Sequence, residues 1–160
     1  MAKYSDIKGF TVQTLSTDTI ASQAAGGSWA SGGDLNTARR GLAGSGATTA
    51  ALAFGGYTTT QVALNEQYNG TSWTEVGDLN TARTNLASSG NGTTTASLAF
   101  AGNEPPNSAL NESWNGSAWT EVGDLTIARN ESGGCGTTTA ALSFGGETPL
   151  TPGSGPHSVK

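Results

Sequence analysis

An all-β fold built from repeated modules of four short strands is what this sequence predicts, and three observations carry the prediction. The first is self-similarity. The stretch GTSWTEVGDLNTARTNLASSGNGTTTASLAFAG at residues 70–102 recurs as GGSWASGGDLNTARRGLAGSGATTAALAFGG at 26–56 and as GSAWTEVGDLTIARNESGGCGTTTAALSFGG at 116–146. The second is a fixed period, the signature of a repeat architecture. Trp29, Trp73 and Trp119 lie 44 and 46 residues apart, as do Asp34, Asp78 and Asp124, and Arg39, Arg83 and Arg129. The third is composition: with 24 glycines and only 34% hydrophobic residues, burial rests on thin sheets packed through Ala, Leu, Thr and Gly. A few aromatic anchors add about 1.5–3 kcal/mol each.

Within a module the strands follow in order. Laying the first copy on the second pairs Thr19-Ile20-Ala21-Ser22-Gln23-Ala24 with Ala63-Leu64-Asn65-Glu66-Gln67-Tyr68, and the third continues as Ala109-Leu110-Asn111-Glu112-Ser113-Trp114. In the last two copies this alternating run meets Asn-Gly and then Trp-Thr-Glu-Val, which predicts a hairpin with both turn residues at positive φ, as in a type I′ turn. Gly-Asp-Leu-Asn-Thr-Ala-Arg then connects to a small-residue strand such as Leu86–Gly90. A turn rich in Gly, Asn and Thr leads to a short apolar run, Thr95–Gly102, that reads as a strand buried on both faces. Four strands in each copy of about 45 residues is the arithmetic of a β-propeller blade. Phe54, Phe100 and Phe144 are 46 and 44 residues apart, so the length differences shift between copies and are expected in loops, sparing the strands.

The organisation is permuted. Residues 1–17 have no counterpart in the repeats; Phe10-Thr11-Val12-Gln13-Thr14-Leu15 suggests a strand, read as an attachment arm. Residues 18–146 then hold a half blade (about Thr19 to Gly33), two full blades and a second half (about Asn130 to Gly146), three blades' worth of strands in all. Residues 147–160, with Pro149, Pro152 and Pro156, lack the Leu-Asn-Glu-aromatic strand and read as a tail. Because a three-blade ring is too tight for twisted four-stranded sheets, closure is expected from a homo-oligomer. A dimer would make six blades, each chain's first half completing the other's last; the alternative is a monomer whose own two end halves pair to share one sheet.

Gly55-Gly56 after a buried strand, followed by Glu66, Tyr68 and Trp73, resembles the kelch repeat, with Ala101-Gly102, Glu112, Trp114 and Trp119 in the next copy. The wording WTEVGDLNTAR…TAALAFGG is similar to kelch-like repeat proteins of marine tailed bacteriophages, and SDIKGFTVQTLSTD is similar to the start of phage structural proteins. The resemblance covers residues 5–146. It implies a propeller carried in the virion as a fibre, appendage or surface decoration, in contact with other virion proteins or with the host surface. The N-terminus has no apolar run of signal-peptide type, so synthesis in the host cytoplasm and incorporation into particles is expected.

Composition also excludes functions. A net charge of −5 and seven dispersed cations give no phosphate-binding face, so no nucleic acid is expected. No run of about 18 apolar residues marks a membrane span. The lone Cys135 has no partner for a disulfide or zinc site, and the lone His157 lies in the tail, so the copper site of kelch-like oxidases cannot be built. Glu75 and Glu121 hold equivalent positions, where glycoside hydrolysis needs two unlike carboxyl groups, so no enzyme is expected and no catalytic residue is assigned. Asp34, Asp78 and Asp124 with Asn36 and Asn80 suggest a calcium ring. The preferred reading is architectural: Asp caps backbone donors, and Arg pairs with a carboxylate or stacks on a Trp. No cofactor or metal is therefore expected. Tyr57, Asn103, Glu104 and Asn107, in variable loops after each Gly-Gly or Ala-Gly, are the candidate ligand residues, with a host glycan as the candidate ligand.

Overall fold

Short alternating runs, broken wherever glycine or asparagine lets the chain reverse, form ten strands in the computed structural model, which describes residues 31–149. These are β1 (Ala43–Ala47), β2 (Ala50–Phe54), β3 (Asn65–Tyr68), β4 (Trp73–Val76), β5 (Ala87–Ser88), β6 (Ser97–Phe100), β7 (Asn111–Trp114), β8 (Trp119–Val122), β9 (Gly133–Gly136) and β10 (Ala141–Phe144). Among the described residues there is no helix. Strands β1 to β4 make one four-stranded antiparallel sheet in sequence order, β5 to β8 make a second, and β9 pairs with β10 alone. The chain is thus all-β, with two complete blade-like meanders and the first half of a third.

Register repeats between the complete sheets. Phe54 faces Asn65 and Asn65 faces Val76 in the first; Phe100 faces Asn111 and Asn111 faces Val122 in the second. Strand β6 is buried along its whole length, as its nearly continuous apolar character predicts, with the buried Ser97 hydroxyl bonded to Ser45. Phe54 (0% exposed) meets Trp119 edge-on at 4.8 Å, and Trp119 lies 5.4 Å from Trp114, so tryptophans of the second sheet close over a phenylalanine of the first. Such ring pairs add about 0.5–1.5 kcal/mol beyond the area they bury.

Successive modules are also joined through backbone. Gly41, Asn85 and Glu131 occupy equivalent positions and all have positive φ, at 62°, 54° and 52°. The Asn85 amide donates to Gly41 O at 2.7 Å, and the Glu131 amide donates to Asn85 O at 2.9 Å. Asn and Gly suit this conformation, whereas Glu does so at a cost. Paired backbone bonds also link Arg40 with Tyr57, Thr84 with Asn103 and Asn130 with Glu147, one pair for each module.

Two local expectations need correction. The Asn-Gly hairpins are not type I′: only the glycines, Gly70 (φ 94°) and Gly116 (φ 98°), have positive φ. The asparagine acts through its side chain instead, Asn69 Oδ1 accepting from Thr71 N at 2.9 Å and Ser72 N at 3.0 Å, with Asn115 repeating this to Ser117 and Ala118. A side-chain acceptor satisfies the turn amides, so the loop extends to four residues, Asn69–Ser72, before β4 begins. The length difference does not spare the strands either. The extra residues fall between β5 and β6, and β5 is cut to two residues where β1 has five. The buried hydroxyl of Ser89 replaces part of the lost ladder by accepting from Leu98 N at 3.3 Å.

Candidate functional site

The Asp-Leu-Asn-Thr-Ala-Arg segment runs from the last strand of one sheet to the first strand of the next, and its aspartate, asparagine and arginine take recurring partners in the complete sheets. Asp78 Oδ1 accepts from Asn65 N at 3.0 Å while Asn65 Nδ2 donates to Gly77 O at 3.1 Å; Asp124 and Asn111 repeat the arrangement at 3.2 and 3.1 Å. The aspartate therefore ties the start of the third strand to the end of the fourth. Asp78→Ala would leave the Asn65 amide, on a fully buried residue, without its charged acceptor. It is expected to cost about 1.5–3 kcal/mol by urea unfolding.

The arginine reaches forward into the sheet that follows it. Arg39 Nη1 lies 2.6 Å from Glu66 Oε1 and Arg83 Nη2 lies 2.8 Å from Glu112 Oε1, with arginine and glutamate side chains 0% and 2% exposed in each pair. Arg39 also donates to Ala53 O at 2.9 Å; Arg83 donates to Ala101 O and Leu110 O, both at 2.8 Å. The second carboxylate oxygen is held by backbone, accepting from Asn36 N in Glu66 and from Asn80 N in Glu112, each at 2.7 Å. The side-chain amides of Asn36 and Asn80 donate to Trp73 O and Trp119 O at 3.0 Å. Burial pushes the Arg83 guanidinium below its ordinary value, and the Glu112 carboxylate opposes that fall. A buried charge is tolerated here because it is paired and hydrogen-bonded.

Of the two architectural roles weighed for the arginine, these two residues take the carboxylate. The cation stacked on a ring is the neighbouring Arg40, 4.6 Å above Tyr57. The sequence pointed to Arg39 and Arg83 pairing with a carboxylate and, separately, to Glu66 and Glu112, but it did not join the two as partners. A signal was present, since Arg and Glu recur 27 and 29 residues apart in a chain with only 12% charged residues.

The third module breaks the pattern. Arg129 Nη1 donates to Gly145 O at 2.8 Å, as Arg83 does to Ala101 O, but among the described residues it has no carboxylate partner. Beside it a cleft of about 220 Å³ is lined by Leu125, Thr126, Ile127, Arg129 and Ser143. The adjoining edge of β10 exposes Leu142 (59%) and Phe144 (51%), whose counterparts Leu52, Phe54, Leu98 and Phe100 are buried.

The remaining sequence-derived residues are dispersed. Trp73 is half-buried against Tyr68 and donates from Nε1 to Gly33 O at 2.9 Å, Trp119 is in the core, and Trp29 lies outside the described residues. Asp34 is exposed, and the position it would cap by analogy, Ala21, is also outside them. Asn103 Nδ2 donates to Asn107 Oδ1 at 3.2 Å, and Asn107 Nδ2 donates to Glu147 O at 3.0 Å, so both amides brace the loop. Glu104 is exposed, and Tyr57 belongs to the equivalent loop of the preceding module. Glu75, Glu121 and Cys135 are exposed. Among the described residues no three acidic, histidine or cysteine side chains converge as a metal site would require. Neither a protein-family model nor a curated protein matches the chain.

Proposed function

We propose that this protein is a non-enzymatic scaffold whose sheets are the blades of a kelch-like propeller, and that it serves as a structural or adhesive component of a bacteriophage virion. The observation that carries this reading is the use to which its charge is put. The Arg39–Glu66 and Arg83–Glu112 pairs are sealed inside the frame at repeated positions, and the exception, Arg129, sits beside an open sheet edge. Charge invested in module-to-module contact suits a protein whose task is assembly. The virion assignment comes from the resemblance of the repeat wording to phage proteins.

Assembly with other chains is part of the proposal, since closing the β10 edge would bury Leu142 and Phe144. The test is mass measurement under native conditions together with detection of the chain in purified particles by antibody. Species larger than the 16.0 kDa chain and particle association are expected; a monomer at every concentration, missing from particles, would defeat the reading. A carbohydrate-binding role is less well supported, because Asn103 and Asn107 are engaged within the frame. Binding on a glycan array that is lost in Tyr57→Ala would reinstate it.

A further inference from the structure

The two complete sheets are internal templates for what the third lacks. In the first, Glu66 lies opposite Ala53 of β2; in the second, Glu112 lies opposite Ala99 of β6. The corresponding residue of β10 is Ser143, which lines the cleft beside Arg129. Each glutamate is received by an arginine and by a backbone amide from Asn36 or Asn80. In the third module those donors are Arg129 and the amide of Thr126, also a cleft residue. A third donor is the amide of Gly145, since Gly55 N and Ala101 N donate to Leu64 O at 2.9 Å and Leu110 O at 3.0 Å. Among the described residues the amides of Thr126 and Gly145 have no acceptor.

We infer that this cleft is a carboxylate socket, and that with the β10 edge it binds an extended strand of another protein reading apolar-Asn-Glu-x-aromatic. The strand adds antiparallel to β10 with its Asn opposite Phe144 and its Glu opposite Ser143, the carboxylate entering the cleft to meet Arg129 and Thr126 N. Backbone pairing supplies affinity and the buried charge pair supplies register and selectivity. The Thr19–Gly33 segment of a second copy fits less well. Ser22, 44 residues before Glu66, stands where the glutamate is required, and Ala24 stands where Tyr68 and Trp114 supply an aromatic ring. Arg129 would then be covered without a countercharge. The occupant inferred here is therefore a partner strand of defined chemistry, and closure through the Thr19–Gly33 segment of a second copy is an outcome that would overturn it.

The inference deepens the scaffold reading, which supplies the open edge as an interface, and its test is independent of particle association. A labelled synthetic peptide with the sequence of residues 109–122, ALNESWNGSAWTEV, is titrated into the full chain and followed by fluorescence anisotropy. Saturable binding is expected, weakened about thirtyfold or more by Glu112→Gln in the peptide or by Arg129→Gln in the protein. The two changes together are expected to cost little more than either alone. Arg129→Glu paired with a Glu112→Lys peptide should recover part of the affinity, which separates loss of the charge pair from misfolding. Absence of binding, binding indifferent to Glu112→Gln, or equal binding by a peptide of residues 19–31 would each overturn the inference. None of these outcomes alters the mass or particle measurements that test the scaffold.

Discussion

Arg83→Ala is expected to destabilise the protein by about 3–5 kcal/mol, because it leaves Glu112, 1% exposed, as an uncompensated buried charge. Domain stabilities of about 5–15 kcal/mol make that a large part of the total. The loss has two sources. Arg83 gives up bonds to Ala101 O, Leu110 O and Glu112, and the Glu112 carboxylate keeps only the donors of Asn80. Arg129→Ala is the internal control at the equivalent position. With no carboxylate partner among the described residues, its expected cost in the isolated chain is within about 1 kcal/mol. Urea unfolding of both variants decides the matter, and equal destabilisation would mean that the clamp does not hold the modules together. Replacing Arg83 and Glu112 jointly by apolar residues of similar volume is expected to recover part of the loss, since both desolvation costs disappear with the charges while Ala101 O and Leu110 O stay without the arginine donor.

The second large effect concerns one residue type at one repeat position. Phe54→Ala is expected to cost about 3–5 kcal/mol, through lost burial and the cavity left beneath Trp119. Phe144→Ala should change stability by no more than about 0.5 kcal/mol, because the ring is 51% exposed. Thermal unfolding of the two variants at low protein concentration makes the comparison. Similar losses would show that β10 is covered, contrary to the structure, whereas a Phe144 effect that appears only with a bound partner strand would locate the covering group.

Much of the architecture was legible in the chain. The repeat and the order of strands follow from period and apolar pattern and are kept by the fold; of the Thr95–Gly102 run, Ser97–Gly102 is buried while Thr95 is exposed at the turn. The Asn-Gly turns were recognisable as hairpins, but their geometry was not. Whether Asn69 acts through its backbone or its side chain depends on which amides the loop leaves to be satisfied. The trimming of β5 was likewise hidden, because a residue count cannot say whether an insertion lengthens a loop or consumes a strand.

What the amino-acid sequence determined by itself is therefore the module: its strands, its turns and the positions that recur. Those depend on interactions a few residues apart, which local pattern records. Only the tertiary structure decided that Arg83 and Glu112, 29 residues apart, form one sealed pair, and that Arg129 faces a cleft instead. The sequence motif around the three arginines is nearly the same. Their environments differ because burial and ion pairing belong to whatever lies alongside in space, and that neighbour is set by how the sheets stack.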